Sequence, residues 1–346
     1  MRHETGAALT NVHPFNIIGE FLDGFLRAEA LSAAFKLGLI DRLAQGAPAS
    51  IGELAQQLAL DVKHAGILSA LLVNHGVLRK DVERVFLTDR FRAALAYRDL
   101  LEVRLEFGRD VRRAMHDHYA PSVRDPSRHH SQLHSIKFDA RHDYPPDVRA
   151  STEQWVRFMS TYTRYSAPGL LARHDFSTHP RILDVGGNNG ELAIQICRKF
   201  PAVAVTVFDI PVVCDIGTDR VRSAHLSDRI SFVKGDIRVD MLPGGFDAVV
   251  FSSFLHDHGE KDIARFIRKA HDSVKSGGSV IIWETHEFDI ERVGFPEYKM
   301  DLFAATTMFG PPNRYVAALD RFGFCSIQVG TDDQIGFLYT TAVREA

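Results

Sequence analysis

The sequence predicts an α/β protein in which a doubly wound, largely parallel sheet follows a smaller, mostly helical module. Three observations predict it. From Pro180 onward, short apolar runs alternate with helical stretches, the pattern of a sheet covered on both faces. Before Leu105 the apolar spacing is helical and closes on one strand-like stretch. The 346 residues are 45% hydrophobic and 25% charged, ordinary globular usage with enough chain for more than one core.

Residues 10–105 read as a winged-helix-like domain. Apolar side chains recur at helical spacing from Ala28 to Leu43, until Gly46-Ala47-Pro48 breaks the run. Ser50 stands three residues before Glu53, a capping box that opens a short helix. Asp61 can cap the next helix, with Ile67, Leu68, Leu71 and Leu72 on its apolar face and Gly76 as its stop. Val77 to Lys80 and Arg84 to Thr88 then read as a small β-wing. Residues 1–105 hold 12 Lys or Arg against 12 Asp or Glu, so this module lacks the basic footprint of a DNA reader. Its apolar second helix suits a second copy of the chain, and a homodimer is expected.

Residues 106–178 read as a less regular, substrate-lining connection rich in histidine (His116, His118, His129, His130, His134 and His142), followed by a helix through Trp155, Phe158, Met159 and Tyr162. No histidine pair there combines the two-His-on-one-helix-face spacing of a zinc helix with a nearby acid, so no metal is expected. Residues 179–346 carry the sheet. Strands are expected at Arg181–Val185, Val203–Phe208, Ile230–Lys234, Phe246–Phe251 and Ser279–Trp283. Helices near 190–200, 211–223 and 259–274 separate them, and Cys325–Val329 with Phe337–Thr341 can close an antiparallel edge.

Charge and composition exclude other classes. Lys plus Arg number 41 against 44 for Asp plus Glu, a net charge of −3, which makes neither nucleic acid nor an anionic membrane the expected partner. No apolar run approaches the roughly 20 residues that span a bilayer, and no export signal opens the chain. Cys197, Cys214 and Cys325 are too few and too scattered for a disulfide framework. A cytoplasmic protein is expected.

Ligands of a doubly wound sheet bind at the carboxyl ends of its strands, and here those ends carry acids and glycines. The first strand leads into Asp184-Val185-Gly186-Gly187-Asn188-Asn189-Gly190, where glycines let the backbone approach a ligand. Asp209 after the second strand suits a ribose diol. Asp236, in Gly235-Asp236 after the third, suits an adenine amino group. Ile210, Ile237 and Ser252 lie at the same ends and join Asp184, Gly186, Gly187, Gly190, Asp209 and Asp236 as cofactor-binding candidates. A dinucleotide fold also places an acid about 20 residues beyond its glycines. Asp184 before the glycines would oppose a pyrophosphate but can reach an amino-acid ammonium, which favours S-adenosylmethionine over NAD.

These residues resemble the class I, S-adenosylmethionine-dependent small-molecule O-methyltransferases of the caffeic acid and hydroxyindole type, with their bacterial polyketide-tailoring relatives. The motifs are Leu183 to Gly187, Phe208-Asp209-Ile210-Pro211, Gly235-Asp236, Leu255-His256-Asp257, and Gly277-Gly278 followed by Glu284. The resemblance covers nearly the whole chain. It implies a Rossmann-like methyltransferase sheet with an N-terminal winged-helix dimerisation domain. It also implies cofactor contacts at Gly186, Asp209, Asp236 and Ile237, His256 as general base, and Glu284 as the acid that orients it. Such roles make chemical sense, because a hydroxyl must lose its proton as it attacks a sulfonium methyl, and a carboxylate can fix the tautomer of a neutral imidazole.

Three departures from the family pattern stand out. His258 replaces the usual Trp, Asn313-Arg314 replaces a Glu-Arg pair, and the histidine-rich region before Tyr144 matches nothing in it. Asn313 is kept as a catalytic candidate that hydrogen-bonds without charge. Trp155, Phe158, Met159 and Met308 are candidate walls for a small, aromatic or conjugated acceptor. Two other functions stay open. One is metal-assisted methylation of the carbon beside an α-keto group, with His256 and Asp257 as ligands and His258, His286 or a residue of the histidine-rich region as a third. The other is a cofactor binder that transfers no methyl.

Overall fold

The computed structural model describes residues 23–124, 144–286, 311, 313–333 and 335–345. The chain divides into two compact units, residues 1–106 and 107–346.

In the first unit, helices α1 (Asp23–Lys36) and α2 (Leu39–Gln45) are separated at Gly38, whose φ of 73° lies in the left-handed region. The helical apolar spacing from Ala28 to Leu43 therefore belongs to two helices, since periodicity continues across the two-residue turn Leu37-Gly38, whose second position only glycine adopts cheaply. Helix α3 (Ile51–Gln57) opens on the Ser50 capping box. Glu53 N donates to Ser50 Oγ at 3.2 Å, and Ser50 N donates to Glu53 Oε2 at 2.7 Å. Helix α4 (Val62–Asn74) opens on Asp61, which accepts from His64 N at 2.9 Å. Strands β1 (Ala49–Ser50), β2 (Leu78–Asp81) and β3 (Arg84–Leu87) form an antiparallel sheet in the order β1-β3-β2. Helix α5 (Asp89–Ala94) follows the wing. The unit's core gathers Leu39, Ile40, Leu43, Leu54, Leu72, Leu78, Val85 and Leu87.

Helix α6 (Arg98–Arg124) carries the chain into the second unit, where α7 (Pro146–Arg173) is a second long helix. The described parts of residues 106–178 are thus more regular than expected. Charged residues and histidines blur the apolar periodicity without preventing the helix. Of the six histidines noted there, His129, His130, His134 and His142 lie outside the described residues, as do the side chains of His116 and His118.

The sheet of the second unit has strands β4 (Arg181–Val185), β5 (Ala204–Asp209), β6 (Ile230–Lys234), β7 (Phe246–Ser252), β8 (Val274–Thr285), β9 (Phe324–Asp332) and β10 (Phe337–Arg344). Their order is β6-β5-β4-β7-β8-β10-β9. Strands β4 to β8 pair in parallel, while β10 pairs antiparallel with both β8 and β9. Between them run α8 (Glu191–Lys199), α9 (Pro211–Ser223), α10 (Glu260–Ser273) and α11 (Val316–Arg321). One core cluster joins α7 and α8 to the sheet through Leu170, Ile194, Val205 and Trp283. Another joins α10 and α11 through Phe251, Phe266, Ile267 and Leu319. Among the described residues no helix is long and apolar enough to cross a membrane.

Candidate active site

Strand order reverses at β4, which pairs with β5 on one side and β7 on the other. A crevice opens at the carboxyl end of such a strand because the crossovers on its two sides leave in opposite directions. The glycine loop occupies that point. Gly186 has φ 68° and its N–H donates to Phe208 O at 2.8 Å, turning the chain back toward β5. A Cβ at Gly187 would lie 2.5 Å from Asp184 Oδ2, so only glycine fits over that carboxylate. Gly190, at φ 80°, starts α8.

Three acids stand at this edge in different states. Asp184 is fully buried, and neither of its carboxylate oxygens has a hydrogen-bond partner among the described residues. Burial, reinforced by the charge of Asp209, pushes its pKa up to about 7. Asp209 accepts from Asn188 N at 2.9 Å and from Ile210 N at 2.7 Å. Burial raises its pKa to about 6 against those two backbone donors. Asp236 is already paired. Arg238 Nε donates to its two oxygens at 2.8 and 3.0 Å, and burial, which would raise the carboxyl, is outweighed by that guanidinium. The carboxylate expected to stand open for an adenine amino group therefore comes with a cation attached.

A cavity of about 510 Å³ joins these groups. Asp184, Gly186, Gly187, Asp209, Ile210, Asp236, Ile237 and Ser252 all line it, as do Trp155 and Met159. Gly190 lies behind the loop, its α-carbon facing Phe232 and Val221. Phe158 is buried against Phe107, with ring centroids 4.5 Å apart, and is not part of the cavity lining. Met308 lies outside the described residues.

The strand-end loop after β7 carries the remaining candidates. Trp283 of β8 sits opposite Ser252, so the next residue, Glu284, stands beside that loop. Glu284 is fully buried, and its Oε1 accepts from Phe254 N at 2.8 Å and Leu255 N at 2.7 Å. Its other oxygen lies 2.5 Å from His256 Nδ1. An acceptor-only carboxylate there places the proton on Nδ1 and leaves Nε2 as the working nitrogen. Asp257 Oδ1, 3.5 Å from Nε2, has no hydrogen-bond partner among the described residues. Burial disfavours the imidazolium, but Asp257 and Glu284 prevail and the pKa of His256 rises to about 9. His256 is not itself in the cavity lining, whereas the adjoining Asp257 and His258 are.

Asn313 is exposed, in the turn before α11. Its neighbour Arg314 is the residue that reaches the histidine loop, donating to His258 O at 3.1 Å and to Glu260 Oε1 at 2.7 Å. Among the described residues, no three His, Cys, Asp or Glu side chains converge as a metal site. His286 lies near Asp333 and is not in the cavity lining. Sequence reasoning missed Arg238 and Phe254 as cavity residues. Arg238 was detectable as a basic residue two places after an acid. Phe254 was not, because its ring fills the space over Gly186 only in the folded loop.

A family model described as an O-methyltransferase domain matches residues 122–312, and one described as an O-methyltransferase dimerisation domain matches residues 19–97. Over 280 residues the chain is 28% identical to 3-hydroxy-5-methyl-1-naphthoate 3-O-methyltransferase of Streptomyces sahachiroi, covering 78% of this chain and 76% of that protein. It is 27% identical over 269 residues to the N,N-dimethyltransferase OxyT of Streptomyces rimosus, covering 75% and 74%. The structure of human N-acetylserotonin methyltransferase in complex with S-adenosylmethionine superposes with a TM-score of 0.74 at 20% identity. That match covers 98% of this chain and 100% of that one and concerns the fold.

Proposed function

The chain belongs to the O-methyltransferase family and is an S-adenosylmethionine-dependent methyltransferase, and on that premise we propose that it methylates a hydroxyl of a small aromatic or conjugated metabolite, with His256 as general base. The observation that carries this reading is the buried His256–Glu284 pair, 2.5 Å apart, in the loop whose next two residues line the cavity.

The cavity fits the cofactor. Asp184, buried with both oxygens unpartnered, lacks a cation that an amino-acid ammonium would provide. Asp209 keeps lone pairs beyond its two backbone donors and suits a ribose diol, and Asp236 and Ile237 suit the adenine end. When bound, S-adenosylmethionine supplies an electrophilic methyl group on a sulfonium. Glu284 holds the Nδ1 proton of His256 and orients Nε2, once deprotonated, to take the proton of the acceptor hydroxyl. The imidazolium so formed is stabilised by Glu284 and Asp257. Trp155 and Met159 give the acceptor an apolar wall and keep water from it.

A homodimer in the cytoplasm completes the reading. Leu37, Val62 and Ile67 of the first unit are exposed apolar residues of the kind a partner copy covers, and three unbridged cysteines suit a reducing compartment. The test of the chemistry is a screen of phenolic and enolic acceptors with S-adenosylmethionine carrying a 13C methyl. The label is expected on oxygen, at the shift of a methoxy carbon. A label on carbon or nitrogen, or no transfer to any hydroxylated acceptor, rejects the reading.

A further inference from the structure

The two ends of the cavity present carboxylates in opposite condition. Among the described residues Asp184 has no hydrogen-bond partner on either oxygen. Asp236 is saturated on one edge by Arg238, whose Nε bridges both oxygens and whose Nη2 lies 2.8 Å from Oδ2, while Arg238 N donates to Oδ1 at 2.9 Å. The loop that carries this pair is clamped from below. Asp236 N donates to Asp240 Oδ2 at 2.8 Å, and Lys269 of α10 donates to Ile237 O at 2.6 Å and Asp240 O at 2.7 Å. The Arg238 side chain remains 46% exposed and lines the cavity. A lone carboxylate in a dry site calls for a cation. A carboxylate already bound in a guanidinium fork has its charge met and keeps outward lone pairs suited to neutral donors such as hydroxyl and amino groups.

We propose that Arg238 is a cofactor-positioning residue: by pairing with Asp236 it makes that end of the cavity accept the neutral nucleoside, leaving Asp184 as the end that takes the cationic amino acid. The pair thereby gives the cavity a direction. Without the Arg238 side chain, Asp236 keeps the backbone N–H of residue 238 on Oδ1 but loses the guanidinium that meets its charge, and the distinction between the ends is lost. This rests on the cofactor assignment above and on Asp236 facing the nucleoside.

The two ends can be read separately with two ligands. S-adenosylhomocysteine carries both the nucleoside and the amino acid, whereas 5′-methylthioadenosine carries the nucleoside alone. Titration calorimetry of the full chain with each ligand is expected to show that R238M weakens both by a similar factor, on the order of tenfold, one charge-assisted contact's worth. D184N should weaken S-adenosylhomocysteine and leave 5′-methylthioadenosine within about twofold, the scatter of such affinities. R238K keeps the charge but cannot form the fork, so it should also weaken both ligands by threefold or more, on the order of half a charge-assisted contact. It serves as the test if R238M does not fold. Unchanged 5′-methylthioadenosine affinity in the folded arginine variants overturns the proposal. If D236N also leaves that affinity unchanged, Asp236 does not face the nucleoside and the proposal falls with it. If the wild type binds neither ligand, the cofactor assignment itself fails.

Discussion

An acid buried away from any cation holds its proton to a higher pH than usual, and Asp184 is such an acid, with its pKa pushed up to about 7. Binding an ammonium there favours the ionised form. Below about pH 7 the proton must leave first, so cofactor affinity falls as pH falls, by up to tenfold per unit for one linked proton. Titration of S-adenosylhomocysteine between pH 6 and 7.5 should show this slope in the wild type and lose it in D184N. A slope surviving in D184N assigns the proton elsewhere. The identity of these residues was legible in the sequence, because a glycine cluster and acids at strand ends announce themselves by type and spacing. Their state was not. Whether Asp184 is orphaned and Asp236 paired depends on which side chains fold back over the loop, and Arg238 does so for one acid only.

At the scale of elements, local chemistry was the most readable. Ser50 and Glu53 form both bonds of the capping box expected from their spacing, and Asp61 caps α4. S50A removes one of the two reciprocal bonds and should destabilise the first unit by about 1 kcal/mol, seen as an earlier thermal transition by circular dichroism. An unchanged midpoint would mean that α3 is held by packing alone. Strand positions in the sheet were also legible, since fully buried parallel strands read as continuous apolar runs, although β8 and β10 extend beyond their expected ends. Two failures have physical causes. Gly38 splits one apolar periodicity into α1 and α2, and the polar faces of α6 and α7 hid their length. The value of β8 for the site is that its parallel pairing with β7 brings Glu284 beside the histidine loop, 28 residues away in sequence.

For the whole molecule, sequence and structure agree on a helical first unit with a wing and a doubly wound second unit, and among the described residues those that line the cavity belong to the second. The proposed homodimer, suggested by the dimerisation-domain match of the first unit, is tested at this scale. Light scattering at micromolar protein should give the mass of a dimer, about twice 38.7 kDa; a monodisperse monomer removes the homodimer. Acceptor identity was hidden for a different reason, because the walls of a small-molecule site are apolar residues indistinguishable from core until the fold places them, as Trp155 and Phe158 illustrate by parting company. The claim that most depends on the structure is that His256, held by Glu284, takes the acceptor's proton. The direct measurement is turnover of H256A against pH, alongside its affinity for S-adenosylhomocysteine. With the imidazole's pKa raised to about 9, wild-type turnover should climb as pH rises toward that value. H256A should bind the cofactor product normally yet lose about 10²-fold or more in rate, with the pH limb gone. Turnover that survives in H256A with the same pH dependence contradicts the account.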